Sequence, residues 1–156
     1  VAMSGCNLKA VPMAVLDIEQ LTRLDLSHNS IGRIPGEFLH NQTVTHLDLS
    51  YNAISELEPE ISGLINLTTL ILSGNRIEVM IDPIFTLSRL EVLVMNRNLL
   101  DDIPRQIGAM TWLKELKLSN NRLVDLPMEI GRLISLQRLN LAYNMISSVP
   151  VTIGNL

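Results

Sequence analysis

Asp25 and Asp48 stand 23 residues apart, with His28 and His46 close to them in the chain. Two carboxylates and two imidazoles brought together could hold a metal ion or pass a proton between them. The interval puts both aspartates at the same place in a repeating frame, so they should project from adjacent strands about 5 Å apart. Arg23 occupies a neighbouring outward slot, and the expectation is that it neutralises one carboxylate. That leaves an acidic anchor for a basic side chain of a partner, rather than a metal or acid–base centre. Ser4, Ser27, Ser50, Ser73 and Ser119 also share one slot. A nucleophile is a singular residue, so a column of small hydroxyls reads as structural. The chain carries no G-x-S-x-G, G-x-x-x-x-G-K-[ST], H-E-x-x-H or C-x-x-C. Cys6 has no basic partner in its own segment and is expected to be buried. No catalytic residue, metal or cofactor is assigned.

The elements that position these residues follow from the repeat. The segment from Leu21 to Ile31, LTRLDLSHNSI, has the frame L-x-x-L-x-L-x-x-N-x-L. It returns as VTHLDLSYNAI, LTTLILSGNRI, LEVLVMNRNLL, LKELKLSNNRL and LQRLNLAYNMI, each 23 residues after the last. Cys6 marks a seventh copy, with Val1, Met3 and Leu8 in the leucine slots. Alternation within L-x-L places the leucines on one face of a short strand and the variable residues on the other. Stacked at about 4.8 Å, the fourth and sixth positions form continuous apolar ladders. No single copy can bury its face alone, so neighbours must stack. The ninth position is Asn29, Asn52, Asn75, Asn98, Asn121 and Asn144. These amides are expected to be buried and to satisfy backbone groups where the chain leaves the strand.

The second half of each copy is also regular. Pro12, Pro35, Pro104, Pro127 and Pro150 share a slot that suits the first residue of a helical turn. Ile107 and Met110, Ile130 and Leu133, and Ile153 and Leu156 should point back to the core. Glu58-Pro59 and Ile81-Asp82-Pro83 displace the proline, so their turns are expected to differ. Asn41 replaces a buried leucine of its slot, which predicts a locally irregular turn.

This frame resembles the leucine-rich repeat family over essentially the whole chain. The resemblance implies an α/β repeat solenoid, a right-handed superhelix with a concave parallel sheet and convex 3₁₀ or short helical turns. Residues 1–156 would then be one domain of about seven repeats, the first and last truncated. The 23-residue unit, with L-P-x-x-I-G-x-L at Leu126–Leu133, is similar to intracellular Ras-suppressor and plant Ras-group proteins. It implies a protein-interaction module in a cytoplasmic signalling scaffold, with a small GTPase or a phosphatase as partner. Two alternatives stand beside it: the ectodomain of an extracellular receptor, and the partner-binding segment of a larger kinase or ubiquitin ligase. Sequons at Asn41 and Asn66 would suit the first, but about two are expected by chance from 13 asparagines and 20 serines and threonines.

On the concave face the resemblance places the partner site at His46, Asp48, Tyr51, Thr69, Ile71, Val92, Val94, Arg97, Lys117 and Tyr143. Acid and imidazole lie at the N-terminal end, apolar residues in the middle and cations beyond. Ile71, Val92 and Val94 read either as ordinary β-formers on a half-exposed strand or as the centre of a hot spot. Trp112 admits two placements, partly exposed or lying over Arg89.

Composition excludes other classes. A 47% hydrophobic content is too high for a disordered chain. No apolar run approaches the roughly 18 residues of a membrane span. One cysteine cannot form a disulfide framework. The net charge of −4 gives no reason to expect nucleic acid. Residues 1–78 carry −5 and residues 79–156 carry +1, a gradient suited to a dipolar partner. Both ends would expose core, so the repeats are expected to continue or to be capped by another chain.

Overall fold

The computed structural model describes residues 1–156. Six three-residue strands form one parallel sheet in sequence order: β1 (Arg23–Asp25), β2 (His46–Asp48), β3 (Thr69–Ile71), β4 (Val92–Val94), β5 (Glu115–Lys117) and β6 (Arg138–Asn140). Each strand pairs in a strict 23-residue register: Leu24, Leu47, Leu70, Leu93, Leu116 and Leu139 stand side by side. Ala2 adds an isolated bridge to Asp25. The sheet is open, and its layered return turns make it the expected solenoid.

The apolar columns fill the interior. Leu47, Leu70, Leu93 and Leu116 are buried, as are Leu26, Leu49, Leu72, Met95 and Leu118. Coverage fades at the two ends, where Met3, Leu139 and Leu141 are only partly buried. Ile107 and Met110, and Ile130 and Leu133, point inward as expected. Ile153 is half-buried and packs against the core, whereas Leu156 is exposed.

The convex turns are 3₁₀ at Met13–Val15, Pro59–Gly63, Asp82–Thr86, Arg105–Ala109, Met128–Arg132 and Val151–Asn155. Two expectations need correcting. The shared proline slot precedes the first helical residue: Pro104, Pro127 and Pro150 are N-caps with extended ψ. The prolines inside a turn are the displaced ones, Pro59 and Pro83, and their turns match the others. Proline fixes only φ, and both places require φ near −65°, so either accepts it. The copy that differs is α1 (Gly36–Leu39), a single α turn. It ends before Asn41, whose Oδ1 accepts from the Thr43 N–H and hydroxyl and the Val44 N–H at 2.8–3.0 Å. The side chain thereby replaces the missing apolar contact with a local polar turn. Gly131 lets the convex turns stack closely, since a Cβ there would strike the backbone carbonyl of Thr152.

Cys6 is exposed, not buried. It occupies the asparagine slot of the first copy, and its thiol donates to the Ser4 carbonyl at 3.6 Å. Trp112 is half-buried, with its Nε1–H donating to the Leu87 carbonyl at 3.1 Å. No helix is long and apolar enough to cross a membrane.

Candidate functional site

The asparagine column is built as a shared joint. Asn75 Oδ1 accepts the Ile54 N–H at 3.0 Å, and its Nδ2 donates to the Leu49 and Leu72 carbonyls at 2.9 and 3.0 Å. Asn29, Asn52, Asn98, Asn121 and Asn144 repeat the pattern. In every case two bonds stay within the copy, the longer one to the carbonyl two residues before, and two reach the preceding copy. Asn75, Asn98 and Asn121 are buried; Asn29, Asn52 and Asn144 are only half-buried, being nearer the ends. With this scaffold fixed, the third, fifth and eighth positions of the frame are free to vary on the outer side of the sheet.

At the N-terminal end Asp25 and Asp48 are register partners. The Ser27 N–H and hydroxyl donate to Asp25 Oδ1 at 2.9 and 2.7 Å, and Ser50 does the same for Asp48 at 2.8 and 2.6 Å. The Ser27 hydroxyl, then its backbone N–H, hold the Asp25 carboxyl below the usual carboxylate range. Both aspartates therefore cap the strand exit through one oxygen and present the other outward. Arg23 does not neutralise them: it makes no ion pair with either. Its charge is felt instead by His46, whose pKa burial and Arg23 together lower. No three histidine, cysteine and carboxylate side chains converge as a ligand set here. A hollow of about 440 Å³ opens over this end, walled by Arg23, Asp25, His46, Asp48, Thr69 and Ile71 among others.

The middle is apolar. Ile71 is the register partner of Val94, and Thr69 of Val92. Ile71, Val92 and Val94 are half-buried rather than projecting fully into solvent. Beyond them Glu115, 7% exposed, accepts from Lys117 and from Arg138 Nε, the latter at 2.6 Å. Lys117 and then Arg138 hold its carboxyl below the usual range. Glu115 was one of a column of variable residues in the sequence. Its importance comes from lying between two cations, one on its own strand and one on the next. An i, i+2 Glu–Lys pair with an arginine 23 residues on was the available signal.

The eighth position has a backbone peculiarity that spacing alone does not reveal. His28, Tyr51, Arg97, Asn120 and Tyr143 all have φ between +53° and +56°, and Gly5 and Gly74 fall at +66° and +68°. A non-glycine residue there is uncommon. Seven copies share it because the chain must turn sharply before each asparagine. Tyr51 and Tyr143 consequently sit on the rim, 41% and 80% exposed, and Arg97 is exposed beside the apolar centre.

So the concave face brings His46, Asp48, Thr69, Ile71, Val92, Val94 and Lys117 onto four adjacent strands. Tyr51, Arg97 and Tyr143 lie on the turn above, Tyr143 at the far end.

Family models described as Leucine rich repeat match residues 19–77, 65–123 and 135–156. A Leptospira interrogans LRR protein of known structure is 36% identical over 90% of this chain, with a TM-score of 0.86. The LRR ectodomain of the Arabidopsis thaliana receptor kinase GASSHO1/SCHENGEN3, in complex with CASPARIAN STRIP INTEGRITY FACTOR 2, is 34% identical over 94%, with a TM-score of 0.85. An internalin from Listeria monocytogenes, 21% identical over 94% with a TM-score of 0.82, shares the fold. The chain spans 36%, 18% and 42% of these three proteins. No curated protein matches it.

Proposed function

The chain belongs to the leucine-rich repeat family, and from that premise we propose that its concave face is the docking surface for a protein partner. The repeat fold is typically a non-enzymatic protein–protein interaction module. The observation that carries the assignment to this face is the half-buried patch of Ile71, Val92 and Val94, flanked by charge of opposite sign. The leucine columns already fill the core, so these three are free to contribute a desolvated centre, where binding energy concentrates. Residues His46, Asp48, Tyr51, Thr69, Arg97, Lys117 and Tyr143 form its surround. The role is binding, without catalysis.

The 23-residue unit supports an intracellular signalling scaffold, with a small GTPase or phosphatase as the class of partner by resemblance. A second reading has its own observation: the 34% identity to a plant receptor ectodomain supports an extracellular, ligand-binding segment. The Asn66 amide of one sequon donates to the Gln42 carbonyl at 2.7 Å.

The test is a comparison of faces. The parent, Ile71→Thr/Val94→Thr, and Glu129→Lys/Arg132→Glu are immobilised and exposed to lysate or secretions of the source cells. The concave pair should weaken capture of a partner by about 2 kcal/mol or more. The convex pair should leave it unchanged. Loss on the convex pair alone would move the site to the other face.

A further inference from the structure

The order of charge along the concave face is more specific than a general interaction surface. Reading across the strands, the fifth position is Asp25, Asp48, Ile71, Val94, Lys117 and Asn140. Asp48 Oδ1 is committed to Ser50, but no cation lies within ion-pair distance of the carboxylate. At the other end two cations, Lys117 and Arg138, share the single carboxylate of Glu115, and Arg97 stands unpaired beside them. Each end is therefore left with uncompensated charge, negative over β2 and positive over β5. Arg23 places a positive charge on β1, which directs a basic ligand group to Asp48 rather than to the outermost strand.

Resting on the concave-face reading above, we infer that this face takes an extended peptide segment of the pattern basic–x–apolar–x–acidic, with the basic residue on Asp48, the apolar residue on Ile71 and Val94, and the acidic residue on Lys117 and Arg138.

The spacing follows from two periodicities. From β2 to β5 is three strand intervals of about 4.8 Å, roughly 14 Å. An extended chain advances about 3.3 Å per residue, so four residues cover that distance. Side chains of an extended chain alternate, so residues i, i+2 and i+4 all face the sheet. The central one then meets Ile71 and Val94, which are register partners. The hollow of about 440 Å³ beside Asp48 and Ile71 has room for the long basic side chain. Burial and Arg23 lower the pKa of His46, which disfavours a repulsive charge there. A second copy of this chain has the complementary order of charge, but two concave faces meet at their edges and leave Ile71 and Val94 apart.

The probe is a capped, fluorescein-labelled peptide with Lys-Ser-Leu-Ser-Glu between Gly-Ser flanks, titrated by fluorescence anisotropy. Reversing the peptide is not a control, because it can bind in the opposite chain direction. Replacing its Lys by Ser, or its Glu by Ser, should each weaken binding about fivefold, the size of one screened charge contact. Shortening the pattern to Lys-Leu-Glu should weaken it at least as much. Asp48→Asn keeps the Oδ1 acceptor for Ser50, as Asn96 and Asn140 do for their own partners, and removes only the charge. In that variant the peptide Lys-to-Ser change should have no further effect, while the Glu-to-Ser change should keep its full effect. Lys117→Gln should give the opposite pattern. Equal binding of all peptides, or couplings to other residues, would overturn the inference. A concentration-dependent dimer lost in Asp48→Asn would also overturn it in favour of a second copy. If no peptide binds but partner capture still depends on Ile71 and Val94, the inference fails and the concave-face reading stands; if capture ignores them too, both fail.

Discussion

The His28 imidazole lies flat on the Tyr51 ring, with centroids 4.5 Å apart and 14° between planes. Both residues are left-handed, at φ +54° and +53°. Identical backbone on adjacent copies aims the two side chains in parallel, so stacking follows from the repeat. The shelf extends one copy further because Gly74 has no side chain: a Cβ there would stand 2.6 Å from Tyr51 Cδ1.

Gly74→Ala should therefore be destabilising twice over, by about 1 kcal/mol from the left-handed φ and further from displacing Tyr51. Tyr51→Ala alone should cost less than about 1 kcal/mol, as an exposed rim residue. Combining them should relieve the clash while keeping the backbone term. Urea unfolding of the four members of the cycle measures this; additive effects would show that Tyr51 does not lie on Gly74.

The asparagine column predicts a gradient along the chain. Asn75→Ala and Asn98→Ala should each cost on the order of 1–3 kcal/mol, since buried backbone groups are left unpaired. Asn144 makes the same bonds but is only half-buried, so in Asn144→Ala water replaces part of what is lost. Equal stability losses at the three sites would show that burial does not set the cost.

Acid lability should come in two separable steps. The folded pKa of His46 is lowered, so the unfolded chain binds the proton more readily, and stability falls as pH drops through about 6.5. The folded pKa of Glu115 is also lowered, by Lys117 and Arg138. Its stabilisation is complete above about pH 4.3 and is lost as pH falls through the folded value. His46→Gln should flatten the upper step of a stability–pH curve and Glu115→Gln the lower one. An unchanged acid limb in Glu115→Gln would mean that the Lys117 and Arg138 contacts are not formed in solution.

On the concave face, Ile71→Thr and Val94→Thr keep β-branching and should each change stability by no more than about 1 kcal/mol. A larger loss, read by thermal unfolding, would assign them to the core.

What the residues disclosed in advance was whatever repeats. The strand register and the inward leucines are consequences of a fixed period, and a period is visible in one chain. What they concealed depends on a single place. Cys6 is exposed although it shares the slot of the buried Asn75 and Asn98. Pro104 lies just outside its turn because proline constrains φ and not ψ. The role of Glu115 required knowing that two cations converge on one carboxylate, and Arg23 was expected to pair with an aspartate it does not reach. The left-handed column was hidden behind unlike residue types, His28 and Arg97 beside Gly74, since the backbone demand comes from the turn and not from any one side chain.

The asparagine joints also make the solenoid report on itself. In each copy one backbone amide, at Leu8, Ile31, Ile54, Ile77, Leu100 and Leu123, donates to an asparagine side chain of the following copy. Such an amide is protected only while the two copies stay together. Hydrogen exchange at these six positions therefore measures six separate openings, one per joint, within a single experiment. In a linear array with only nearest-neighbour coupling, their relative rates locate where the protein parts first, and a ligand laid across β2 to β5 should slow Ile54, Ile77 and Leu100 while leaving Leu8 and Leu123 as they were.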